Sequence, residues 1–234
     1  MANLARLMAV YVTLEPKYKS HISTQSKSRH QIESRKKGGI MIDTLSNVAL
    51  AGGLSWASGI RLYMALFIAG WFGRAGWIDL PQALHILESP WVIGVTGLLT
   101  AIEFLADKIP GLDSVWDAIH TFIRIPAGAI LAVAAMGHMD PAWTTVAALV
   151  GGTFALGAHA TKAGSRAMIN TTPEPLSNWT ASFSEDITVL GGLWAAFFHP
   201  WLLFAFLILF FLFAIWLLTK LWRGIRWVFQ RLAT

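Results

Sequence analysis

Arg61 stands near the middle of an apolar stretch that begins at about Thr44 and ends at about Phe72. A guanidinium keeps its charge in hydrocarbon, and placing one there costs at least ~2.5–3.5 kcal/mol unless it finds a partner or water. The neighbouring residues, Ser55-Trp56-Ala57-Ser58-Gly59-Ile60, add a break point at Ser58-Gly59. Broken helices are tolerated in membranes where the freed backbone lines a cavity or is buried in protein. Two chemistries fit. Arg61 either contacts a buried anion or carboxylate ligand, or it closes a structural ion pair with Glu103 or Asp107. Those two acids are four residues apart and share a helical face. Glu103 is the expected partner.

Two further clusters carry chemistry. Asp117, His120 and Arg124 recur at helical spacing just after the turn signal Pro110-Gly111, which folds them toward Glu103 and Asp107. Carboxylates beside histidine could bind a divalent cation or relay protons. The plainer alternative, a salt-bridged hairpin, suits the outermost members Lys108 and Asp113. No two histidines have zinc-ligand spacing, so no metal is assigned. His159, Lys162 and Arg166 also share one face, and a polar stretch follows with Asn170, Thr172, Pro173-Glu174-Pro175, Asn178, Glu185 and Asp186. That arrangement could hold a phosphate or a lipid head group, or simply anchor a positive end. The candidate binding residues are therefore Arg61, Glu103, Asp107, Asp117, His120, Arg124, His159, Lys162, Arg166, Asn170, Glu174, Glu185 and Asp186. No catalytic residue and no cofactor is assigned.

The elements that position these groups are membrane helices. The chain is 55% hydrophobic and only 13% charged, against about 25% charge in soluble domains. The run from Leu202 to Leu218 is unbroken and apolar, framed by Trp201 and Trp216 and followed by Lys220, Arg223, Arg226 and Arg231. That is an aromatic belt closed by a positive anchor. The net charge of +5 belongs to the first 40 residues, which hold eight Lys/Arg and two acids. The remainder has no basic patch interleaved with aromatics, which argues against nucleic acid. The absence of cysteine excludes disulfides and thiolate chemistry. No phosphate-binding loop, dinucleotide fingerprint or hydrolase elbow is present.

Six apolar segments can be marked: 44–72, 91–107, 116–137, 142–166, 187–198 and 201–218. The fifth is short for a span; it re-enters, or it extends upstream through 181–183. The expected fold is all-α, a polytopic membrane protein of about six transmembrane helices. Residues 1–40 read as a disordered basic tail or an extension preceding a start at Met41, 41–220 as the helical domain, and 221–234 as a basic amphipathic tail. Basic residues at both ends place both termini in the cytoplasm. A faint repeat relates Leu50-Ala51-Gly52-Gly53 to Leu149-Val150-Gly151-Gly152. Three helices repeated by three would give two halves of inverted topology.

Taken together, these clusters resemble the bacterial membrane family called domain of unknown function 4126. The likeness rests on Ala57-Ser58-Gly59-Ile60-Arg61, Ala106-Asp107-Lys108-Ile109-Pro110-Gly111-Leu112-Asp113, His120-Thr121-Phe122-Ile123-Arg124 and Pro126-Ala127-Gly128-Ala129. It continues through Thr161-Lys162-Ala163, Arg166, Asn170, Pro173-Glu174-Pro175 and Ser184-Glu185-Asp186. It covers about 42–218. The resemblance implies a multi-span inner-membrane protein and no particular reaction.

Three functions stay open on the sequence. The first is a small transporter or channel for an anionic small molecule, with Arg61, Arg124 and Lys162 as anion contacts and Glu103 and Asp107 as coupling carboxylates. The second is a membrane-embedded enzyme on lipid-linked substrates, using Asp107, Asp117 and His120. The third is a structural or accessory subunit. The expected partners are the lipid bilayer, an anionic molecule or lipid head group, and further copies of the chain. Because residues 17–37 have no apolar face to pack, removing residues 1–40 is expected to leave insertion and folding intact. Loss of the monodisperse detergent-solubilised protein after that truncation would contradict this.

Overall fold

The computed structural model describes residues 44–109, 111–170 and 175–232. Residues 44–74 are helical (α1) and lead through a short turn into a 3-10 helix, Gln82–Glu88. Five helices follow: α2 Pro90–Ala106, α3 Leu112–Met136, α4 Pro141–Ile169, α5 Pro175–Phe198 and α6 Pro200–Leu232. The described residues contain no strand. Proline opens four of these helices, where its missing N–H would be unsatisfied anyway. Asp140 caps α4 by accepting a hydrogen bond from the Ala142 amide at 2.9 Å. Gly111, at φ 88°, turns the chain between α2 and α3.

Three helices, α3, α4 and α6, are long and apolar enough to cross a membrane. A fourth is added if the 3-10 helix and α2, bent by 69°, count as one span. Large apolar side chains such as Leu209, Phe213 and Ile215 stand exposed on α6. A patch of that kind is explained when the surrounding solvent is hydrocarbon. The fifth apolar segment is the end of a 24-residue helix that extends upstream to Pro175. Its first half reads as polar because it lines the buried charges described below. α6 continues through the basic stretch beyond residue 220 to Leu232.

The six-helix expectation changes most at α1, whose two ends lie together. Gly53 packs against Ala196, and Phe72 packs against Phe197 with ring centroids 5.8 Å apart. A straight helix would hold positions 53 and 72 about 28 Å apart. Ser46, Asn47 and Leu50 also share a cavity of about 280 Å³ with residues 77–80 and 196–198. Arg61, midway along, meets Asp107 at the end of α2 and Ser182 in α5. The segment therefore doubles back near residues 58–61, at the small-residue break, and the Ile60 carbonyl there accepts from Lys162 Nζ at 3.3 Å.

The contacts also fix direction. Ser55 lies beside Gly151, Gly59 beside Ala155 and Ala158, and Ile60 beside Lys162. The first limb of α1 thus runs parallel to α4. The segments around Gly52-Gly53 and Gly151-Gly152 should be antiparallel if they were inverted copies, so the inverted-repeat reading does not fit. α6 runs parallel to α4 as well, with Gly157 against Phe211 and Gly164 against Leu221. Residues 46–50 consequently sit with 77–80, 139 and 199 at one end of the bundle, the His199 end. The α2–α3 turn, Asn170 and the last turns of α6 lie at the other, the Lys108 end. Residues 46–50 and the end of α6 thus lie at opposite ends of the bundle, and the amino terminus itself lies outside the described residues.

This geometry is directly testable, because the chain has no native cysteine. Single cysteines at Asn47 and Trp77 are expected to react with an impermeant thiol reagent from the same side of sealed vesicles. A cysteine at Arg226 is expected to react from the other side. Labelling of positions 47 and 226 from one side would refute the fold-back.

Candidate functional site

The polar residues of five helices meet in one buried cluster in the Lys108 half of the bundle. Arg61, Arg124, Lys162 and Arg166 are each 3% exposed or less. Arg61 comes from the bend of α1, Glu103 and Asp107 from the end of α2, Asp117 from the second turn of α3 and Arg124 from its middle. His159, Lys162 and Arg166 come from α4, and Ser182, Glu185 and Asp186 from α5.

Arg61 pairs with Asp107 through Nη1. Its Nε lies 2.8 Å from Asp186 Oδ1, its Nη2 lies 3.5 Å from Glu185 Oε2, and Nη2 donates to Ser182 Oγ at 3.0 Å. The expected partner Glu103 is not among these. Glu103 pairs with Arg124 instead, because the bend of α1 reaches the level of Asp107, a turn further along α2. Arg124 also holds Asp117 Oδ1 at 2.7 Å. Lys162 bridges the two halves of the cluster, with Nζ 3.1 Å from both Asp107 Oδ2 and Asp117 Oδ1. Arg166 grips Glu185 with two parallel bonds, at 2.8 and 3.1 Å, and donates to the Asp107 carbonyl at 3.3 Å. Paired donation of this kind is the strong geometry for a guanidinium.

The rim is built from amides, a histidine and one further acid. Asn178 accepts from Arg166 and donates to Asn170, which donates to Asp113 at 3.1 Å. His159 Nδ1 lies 3.3 Å from Arg124 Nη1, and Nε2 lies 2.7 Å from Thr121 Oγ1. An arginine only donates, so Nδ1 accepts and the proton sits on Nε2, directed at Thr121. His120 turns away from the acids. It bonds the Trp116 carbonyl at 2.7 Å and Tyr63 Oη at 3.1 Å, and stacks on the Trp116 ring at 4.1 Å. Lys108 stands at the edge of the cluster, 2.9 Å above the Phe104 ring and near enough to Asp186 to interact with its charge. Partial burial among aromatic rings holds its ammonium below the usual lysine range.

Of the candidate residues, Arg61, Glu103, Asp107, Asp117, Arg124, His159, Lys162, Arg166, Glu185 and Asp186 are brought together. Asn170 joins at the rim, His120 stands aside, and Glu174 lies outside the described residues. Asp107, Asp117 and His120 do not converge as a ligand set, and among the described residues no three such groups are gathered to hold a metal ion. The basic face of α4 points into the cluster rather than toward a head group. Sequence reasoning missed Tyr63, Thr121 and Ser182. The last two had a signal, since each lies four residues from a cluster acid, at 117 and 186, on the same helical face.

Glu185 is the most accessible carboxylate of the cluster, with its side chain 13% exposed. It also lines a groove of about 510 Å³ between α4 and α5, with Ser165, Thr180 and Ser184. Buried inside, Glu103 Oε2, Asp107 Oδ1 and Asp117 Oδ2 meet no protein donor. Five carboxylates thus face four permanent or near-permanent cations.

Fold and cluster together define a class: a helical membrane protein with a buried ionic network tied between five helices. The chain belongs to the family described as Domain of unknown function (DUF4126), whose model matches residues 48–220. No curated protein and no solved structure matches it.

Removing one partner of a buried ion pair leaves the other charge uncompensated, at about 3–5 kcal/mol. Arg124→Ala strands Glu103 and weakens the hold on Asp117, so a loss of that order is expected in denaturant unfolding of the detergent-solubilised protein. Arg124→Lys, which keeps the charge but not the fork, should lose less. Equal losses for both would show that the paired geometry is not what matters.

Proposed function

We propose that the protein is a small membrane carrier that loads a proton on this network and exchanges it with the Lys108 side through Glu185. The observation that carries the reading is the charge count: the buried cluster holds five carboxylates and four cations. The count reverses the anionic ligand expected from Arg61, Arg124 and Lys162 alone. Each of those cations already faces an internal carboxylate, and the surplus charge is negative. A surplus negative charge in a low-dielectric interior is relieved by taking up a cation, the proton being the smallest. At the edge Asp113 adds one acid and Lys108 one cation, so the difference stays at one.

The membrane arrangement that goes with this reading has α2 to α6 crossing and α1 entering from the His199 end and returning to it. Lys220, Arg223 and Arg226 support a cytoplasmic Lys108 end by the positive-inside rule. The groove beside Glu185 then faces the cytoplasm. Ionisable groups inside a membrane are costly and are characteristic of ion pathways and proton relays. A second reading, a structural subunit locked by these ions, is favoured by one observation: all four cations are paired within the cluster.

The two readings separate in proteoliposomes loaded with a pH-sensitive dye, with potassium and valinomycin to clear the charge. The carrier reading expects faster dissipation of an imposed pH gradient than in empty liposomes. It also expects most of that excess to be lost in Glu185→Gln, with the variant still folded and monodisperse. Wild-type protein that leaves the gradient as in empty liposomes would sink the carrier. A change in unfolding midpoint alone would support the lock.

A further inference from the structure

The half of the bundle without ions contains a second, chemically opposite site. A cavity of about 670 Å³ lies between α1, α3, α4 and α6 in the His199 half. That size is within the range of about 300–1,000 Å³ typical of small-molecule pockets. Every lining side chain is apolar or a glycine. Its floor is formed by Ala51 and Gly52 of α1 and Ala132 of α3. Its mouth opens between α4 and α6, where Val146, Val150, Ile208 and Ile215 line the cavity and stand 45–62% exposed on the outer surface. Three of the four helices around it, α3, α4 and α6, are those long and apolar enough to span a membrane.

We propose that this cavity takes the hydrocarbon chain of a membrane lipid, inserted sideways from the leaflet at the His199 end. The argument is one of chemistry and position. An apolar cavity stays dry and binds hydrocarbon. The mouth lies within the span of two membrane helices, so the medium in front of it is acyl chain rather than water. Polar ligands find nothing to bond here, because the lining offers no side-chain donor or acceptor except the Trp143 indole at the rim. Trp143 is 65% exposed and stands two residues after Pro141, at the interface end of α4. An indole at that depth suits the boundary between head groups and chains. The floor ends where Gly151 meets Ser55 and Gly128, so the chain stops one layer short of the ions. This inference is independent of proton carriage.

The test is photolabelling in liposomes of phosphatidylcholine carrying a diazirine on one acyl chain, with labelled peptides mapped by mass spectrometry. Cavity residues such as Ala147, Phe154 and Phe211 are expected to label several-fold more densely than the exposed face of α2 at Val95 and Leu98. Ala147→Phe, which projects a ring into the cavity, should abolish that excess and leave the α2 labelling unchanged. If Ala147→Phe fails to fold, Gly52→Leu fills the floor from α1 and should act likewise. A Cβ at Gly52 meets only ordinary contacts, 3.4 Å from Leu207 and 3.7 Å from Phe154. Even labelling around all lipid-facing helices, or an excess that survives a folded filling variant, would overturn the proposal.

Discussion

Three cations converge on one carboxylate, and the rest of the structure is arranged around that fact. Asp107 pairs with Arg61, holds Lys162 at 3.1 Å and has Arg166 at 3.8 Å. It stands at the end of α2, where the helix dipole leaves partial negative charge and favours cations. Arg61 arrives from α1, and Lys162 and Arg166 from α4. One acid therefore fixes the relative depth of three helices. Without it, two guanidiniums that cannot give up their charge would face each other and the Lys162 ammonium in a low dielectric. The remaining acids, Glu103, Asp117, Glu185 and Asp186, neutralise what Asp107 alone cannot.

That convergence requires α1 to fold back. A straight α1 would carry its second half past the end of α2. The bend instead delivers Arg61 to the level of Asp107 and returns the chain to the His199 end, where the 3-10 helix and α2 begin. The bend is possible because the residues before it are small. A Cβ at Gly59 would collide with the Ala155 carbonyl oxygen, so the two backbones touch there. The hydroxyls of Ser55 and Ser58 turn to backbone carbonyls, Ser55 reaching Gly128 O at 2.8 Å. They bury no unsatisfied polar atom at the contact.

The sequence made the helices and the charged residues legible, because apolar length and a buried guanidinium are local signals. It did not make partners legible. Glu103 and Asp107 are equivalent by spacing, and only the depth of the α1 bend selects between them. Glu185 and Asp186 were visible as candidates, yet their tie to Arg61 depends on α5 beginning at Pro175, hidden by a first half that is polar for the network's sake. The glycine pairs at 52–53 and 151–152 suggested a duplicated half. Their packing does not match in register: Gly53 meets Ala196 closely while its counterpart Gly152 has only ordinary contacts, and Gly151 meets Ala132 closely while its counterpart Gly52 does not. The direction of the chain, which decides between repeat and coincidence, is a tertiary property.

The two halves of the bundle also explain why the network has access on one side. Toward the Lys108 end, Glu185 reaches a hydroxyl-lined groove. Toward the His199 end stands a layer in which Gly59, Gly128, Gly151 and Ala155 bring α1, α3 and α4 into backbone contact. That layer has no room for an added methyl group at any of its glycines, and so none for a hydrated ion. Beyond it the cavity wall is wholly apolar, where a charge without a partner costs several kcal/mol. The network thus approaches the surface at Glu185 and is closed off toward the opposite half.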